Sequence, residues 1–97
     1  MANTTKQEAY ELVLRALRAG ATLQSPCPKG HITCGPIREA TRAPRFGCYL
    51  YTASDPAGSE IDWSCQASDA ALTFVEYCGR GTAGRAARKW LAQNLTL

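Results

Sequence analysis

The stretch CYLYTASDPAGSEIDWSC, residues 48–65, sets two alternating runs on either side of Asp55-Pro56-Ala57-Gly58. Proline presets φ and glycine accepts a positive one, so these four residues predict a turn. The flanking runs 48–52 and 61–65 then predict an antiparallel hairpin. With a four-residue loop, Thr52 faces Ile61, Leu50 faces Trp63 and Cys48 faces Cys65, and these six share the apolar face. Tyr49, Tyr51, Asp62 and Ser64 fall on the opposite, wetter face.

Upstream, Thr5-Lys6-Gln7-Glu8 has the form of a capping box, in which the threonine oxygen takes an orphan N–H and the glutamate reaches back to the cap. Tyr10, Val13, Leu14 and Leu17 follow at helical spacing, and Gly20 is the expected stop. Between Ala21 and Arg45 come Pro26, Pro28, Pro36 and Pro44 with Gly30 and Gly35, which leaves room for short strand pieces only, at His31–Cys34 and Ile37–Glu39. A structureless connection of that length is uncommon in a compact domain, so a metal ion or an irregular strand is expected to order it.

Downstream, Ser68-Asp69 predicts an N-cap for a helix over 70–78, although Leu72–Tyr77 is rich in residue types that favour a third strand. Gly79-Arg80-Gly81 breaks that element, and Thr82 is placed to cap a last helix with Ala87, Trp90 and Leu91 inward. The fold class expected is α+β in one domain, 1–97. A small antiparallel sheet, the hairpin at about 46–66 plus a short irregular strand from 31–39, is flanked by an N-terminal amphipathic helix and a C-terminal helical pair. Trp63, Leu50, Val13, Leu17, Phe74 and Trp90 are the expected core.

With 45% hydrophobic and 20% charged residues in 97, the composition is that of a folding chain rather than a disordered one. The polar start lacks a signal-peptide pattern, and no window approaches the roughly 18 to 20 apolar residues of a membrane span. A cytoplasmic protein with no membrane association is therefore expected. In that setting five cysteines, an odd number, argue against a disulfide framework and leave buried thiols or metal ligation.

Cys27-x3-His31-x2-Cys34 puts three zinc-type ligands in one segment, with Cys48 or Cys65 as the fourth, so zinc is the cofactor this pattern would take. Over those eight residues the chain resembles the middle of a RING-type zinc finger, with Ile37 where that family has its next cysteine. The resemblance implies metal ligation and no ubiquitin-ligase activity. A Cys48–Cys65 disulfide is the other expectation for the hairpin pair. His31 is the chain's one histidine, and no Ser-His-Asp order, nucleophile elbow, P-loop or dinucleotide fingerprint occurs, so no enzymatic activity is expected.

Charge is segregated along the chain. Residues 46–78 hold Asp55, Glu60, Asp62, Asp69 and Glu76 without a lysine or arginine, whereas residues 79–97 hold Arg80, Arg85, Arg88 and Lys89 without an acid. Arg85, Arg88 and Lys89 share one helical face. Gly79-x-Gly81 followed by Gly84-Arg85-Ala86-Ala87-Arg88 resembles the last helix of the double-stranded-RNA-binding domain, which implies phosphate contact. The first expectation for function is a non-enzymatic adaptor, regulator or inhibitor binding a protein through Tyr49, Tyr51 and Asp62. The alternatives are nucleic-acid binding through Arg80, Arg85, Arg88 and Lys89, and a small zinc-binding module.

Overall fold

The computed structural model describes residues 4–37, 45–64 and 66–94. Helix α1 (Lys6–Arg18) starts on the expected box: the Glu8 N–H donates to Thr5 Oγ1 at 3.0 Å, and the Thr5 N–H donates to Glu8 Oε1 at 3.1 Å. These bonds hold the Glu8 carboxyl below its usual range, the backbone bond most of all. The helix ends on Gly20, at φ +97°, with Gly20 N–H donating to the Leu17 carbonyl and Ala21 N–H to that of Ala16. That is the six-to-one and five-to-two pairing of a Schellman motif.

Four strands follow as an antiparallel meander in the order β1 (Leu23–Cys27), β2 (Gly30–Pro36), β3 (Phe46–Tyr51), β4 (Ser59–Ser64). The segment expected to hold one irregular strand thus forms a two-stranded hairpin of its own, turning at Pro28-Lys29. Main-chain pairing orders it. Pro26, which argued against regular structure, sits in β1 at the sheet edge, where a missing N–H costs least.

The β3–β4 register differs from the expected one. Phe46 faces Ser64, Gly47 faces Trp63 and Cys48 faces Asp62; beyond a bulge at Ile61, Tyr49 faces Glu60 and Leu50 faces Ser59. The causes are the connection and the bulge together. Thr52 and Asp55 exchange backbone hydrogen bonds and close one turn, and the Gly58 N–H donating to the Asp55 carbonyl closes a second. Two turns in place of one move the pairing next to the loop by four residues, an even slip that keeps the faces; the bulge takes one residue back, and the resulting slip of three turns Asp62, Trp63 and Ser64 to the other face. Trp63 leaves the expected core and is 51% exposed, while Asp62 turns inward.

Helix α2 (Ala67–Cys78) replaces the alternative third strand, and α3 (Arg80–Asn94) follows after Gly79 alone, at φ +85°. Both begin earlier than expected. Gln66, without a side-chain bond, occupies the cap of α2, and Asp69 lies in its first turn, accepting from the Ser64 hydroxyl at 2.9 Å. Thr82 lies inside α3. Helix α2 packs against all four strands, α3 against β1, and α1 on both of them. The enclosed core holds Val13, Leu17, Leu23, Ile32, Cys34, Cys48, Phe74 and Val75, with alanines on all three helices allowing close approach. Trp90 is half-buried at its margin, and Leu50 is half-buried on the helical side of β3, opposite Ile32. Among the described residues no helix is long and apolar enough to cross a membrane.

Candidate functional site

Strand alternation divides the sheet into two unlike faces. Leu23, Ser25, Ile32, Cys34 and Cys48 point to the helices and are buried. His31, Thr33, Tyr49, Tyr51 and Trp63 point the other way, where no described helix lies. Sequence alternation alone places Tyr49 and Tyr51 there; the bulged register adds Trp63.

The aromatic groups on this face are held in pairs. His31 lies opposite Tyr51, and their rings stack at 4.7 Å between centroids with planes 8° apart. Gly58, at φ +89°, lets the loop backbone pass against the Tyr51 ring. The Arg45 guanidinium lies 4.4 Å from the centre of the Trp63 ring, a cation–π arrangement that fixes both side chains. The Tyr49 hydroxyl donates to Glu60 Oε2 at 3.2 Å. Gly35 and Gly47 are directly opposed, and the chain itself packs against both, Thr22 and Ala21 on the first and the Ile37 and Tyr49 side chains on the second; a groove of about 350 Å³ runs beside Thr33, Ile37 and Tyr49. Glycines in paired strands mark places where another backbone or ligand approaches closely.

Asp62, grouped with the tyrosines by the sequence, lies on the helical side, where its Oδ2 accepts from the Thr73 hydroxyl at 2.9 Å. It ties β4 to α2. The zinc-type ligands are likewise divided: His31 belongs to the open face, whereas Cys27, Cys34 and Cys48 are on the helical face. Among the described residues no three of His, Cys, Asp and Glu gather as a metal site. Cys65 lies outside the described residues, and so does the expected Cys48–Cys65 pair.

Arg80, Arg85, Arg88 and Lys89 are all exposed on α3. Arg88 reaches the start of α1, donating to Thr4 Oγ1 at 3.2 Å close to the Glu8 carboxylate. The cationic face is thus partly neutralised by α1 rather than by the acidic hairpin. The single ion pair described, Lys6–Glu76 at 3.2 Å, joins two well-exposed side chains and contributes little.

Buried thiols make stability sensitive to alkali. Burial at the end of α2 pushes the Cys78 thiol from 9.0 up to about 11, the Ser25 hydroxyl offsetting part of this. Cys34 is raised too, first by its hydrogen bond with Cys48 and then by burial. A raised thiol keeps its proton in the folded chain while the unfolded chain loses it, so stability is whole below about pH 9 and falls as pH rises towards 11. Urea unfolding under reducing conditions should show a loss on the order of 1 to 2 kcal/mol over that interval, solvent screening included. A flat profile would place these thiols in water.

Comparison with known proteins adds no relative: no family model matches the chain, and no curated protein or solved structure matches it.

Proposed function

We propose that this chain is a non-enzymatic binding protein that engages a protein partner through the sheet face on which no described helix lies. The observation that carries the reading is the set of paired groups on one sheet face, His31 stacked on Tyr51 and Arg45 on Trp63, with Tyr49 on the strand between them. Tyrosine, tryptophan and arginine are the residue types enriched where protein interfaces concentrate their energy. Here their side chains are already stacked, so less rotamer freedom is lost on binding. Arg45 favours an acidic or aromatic side chain next to Trp63.

A photo-cross-linking residue placed at Tyr51 and, separately, at Arg85 tests this in extracts of the native cell. The reading expects a discrete protein adduct from position 51 that is lost on adding Trp63→Asp and kept on adding Lys89→Glu. An adduct from position 85 alone, or one indifferent to Trp63→Asp, contradicts it.

Nucleic-acid binding is the second reading, supported by the exposed Arg80, Arg85 and Lys89 along α3. It expects affinity for duplex or single-stranded probes that falls steeply with salt and is lost on Arg85→Glu with Lys89→Glu. No binding at low salt removes it.

A further inference from the structure

Strands β2 and β3 place Cys34 directly opposite Cys48, with their Sγ atoms 2.9 Å apart. That is about 0.9 Å beyond the roughly 2.0 Å of a sulfur–sulfur bond. Both thiols are buried beneath α2, with the Ala70 carbonyl oxygen 3.7 Å from Cys34 Sγ and 3.5 Å from Cys48 Sγ. Facing residues of antiparallel strands hold their Cβ atoms about 4.5 to 5.5 Å apart, so only a small local adjustment separates contact from covalent linkage. Among the described residues no third ligand joins these two sulfurs, so metal binding has no support from them.

We propose that Cys34 and Cys48 form a reversible cross-strand disulfide that staples β2 to β3. The inference is independent of the proposed binding function. With a small-molecule disulfide such as oxidised glutathione as oxidant, one thiol loses its proton and attacks a glutathione sulfur, releasing one reduced glutathione and leaving a mixed disulfide. The second thiol then attacks the protein-side sulfur, loses its proton and releases the second glutathione. Two protein thiols are oxidised to one disulfide, and one glutathione disulfide is reduced to two thiols. Because both groups are buried beneath α2, exchange proceeds through opening of the β2–β3 pair. Oxidation is therefore slow in the native fold and fast during refolding.

The test is to refold the wild-type chain with excess oxidised glutathione, block remaining thiols under denaturing conditions, and map the linked peptides. Cleavage after lysine and arginine combined with cleavage at the acidic residues separates all five cysteines, since Lys29, Arg38, Asp55 and Asp69 fall between successive ones. The expected result is a Cys34–Cys48 linkage, a melting temperature about 10 °C above the reduced form, and reversal by dithiothreitol. The linkage should persist in Cys27→Ser and Cys65→Ser and vanish in Cys48→Ala. A Cys48–Cys65 linkage, or a Cys34 still open to alkylation after refolding, overturns the proposal. So does a linkage that leaves the melting temperature unchanged.

Discussion

Replacing Phe74 by alanine should remove about 3 to 5 kcal/mol of stability, the largest loss expected from any single substitution in this chain. Phe74 lies on the inner face of α2, fully buried, and heads the fully buried side chains in volume. The residues around it are small or branched. Alanines line the inner faces of all three helices, and Ile32, Val13 and Leu17 are fixed by their own elements, so little can collapse into the space vacated. Domains of this size have about 5 to 15 kcal/mol in total, so the variant should lose roughly a fifth or more of its stability and melt about 15 °C lower. Urea unfolding measures this directly. A loss near 1 kcal/mol would mean that α2 does not press this face onto the sheet.

Gly30→Ala should cost about 2 to 4 kcal/mol for a different reason. Gly30 closes the β1–β2 hairpin at φ +157°, where a Cβ would overlap the Tyr51 carbonyl oxygen and crowd Thr52 Cα at 3.2 Å. The obstacle is backbone, which yields only by parting β2 from β3 at the His31–Tyr51 pair. Loss of that pair should also unstack the two rings. The same substitution at Gly20 or Gly79 meets no neighbouring atom and carries only the cost of a positive φ, so Gly30→Ala should exceed both. If all three variants unfold alike, the close approach of the hairpin to Tyr51 is wrong.

How far the sequence discloses this molecule depends on which physical signal governs each element. Helix α1 is legible because three local signals agree: the Thr5–Glu8 box, the stripe through Val13 and Leu17, and the stop at Gly20. The helical pair is legible in kind, although its starts are not. Ser68 and Asp69 have the chemistry of a cap, yet Asp69 serves from within the first turn as the acceptor for Ser64. Strand β1 is hidden because Pro26 reads as a breaker, and its place at an edge is a tertiary fact.

The β3–β4 register shows the limit most clearly. Asp55-Pro56-Ala57-Gly58 does form a turn, but Thr52 to Asp55 forms another before it, and the competition between one turn and two is settled by hydrogen bonds that the residue types only permit. The bulge at Ile61, which follows from the same connection, then decides whether Trp63 is core or surface. Tyr49 and Tyr51 were placed by alternation alone; His31, Arg45 and the paired glycines join them through β2–β3 pairing, which no local pattern encodes. The Cys34–Cys48 contact is hidden for the same reason.

The aromatic sheet face, on which no described helix lies, is the centre of this account, and Trp63→Ala tests it most directly. Were Trp63 a core residue facing Leu50, its truncation would cost roughly 3 to 5 kcal/mol. With half its surface in water and a stacked Arg45 as its main partner, the expected loss in urea unfolding is about 1 kcal/mol, alongside several times that for Phe74→Ala. Loss of 3 kcal/mol or more would return Trp63 to the interior, undo the bulged register and remove the face on which the proposed partner binds.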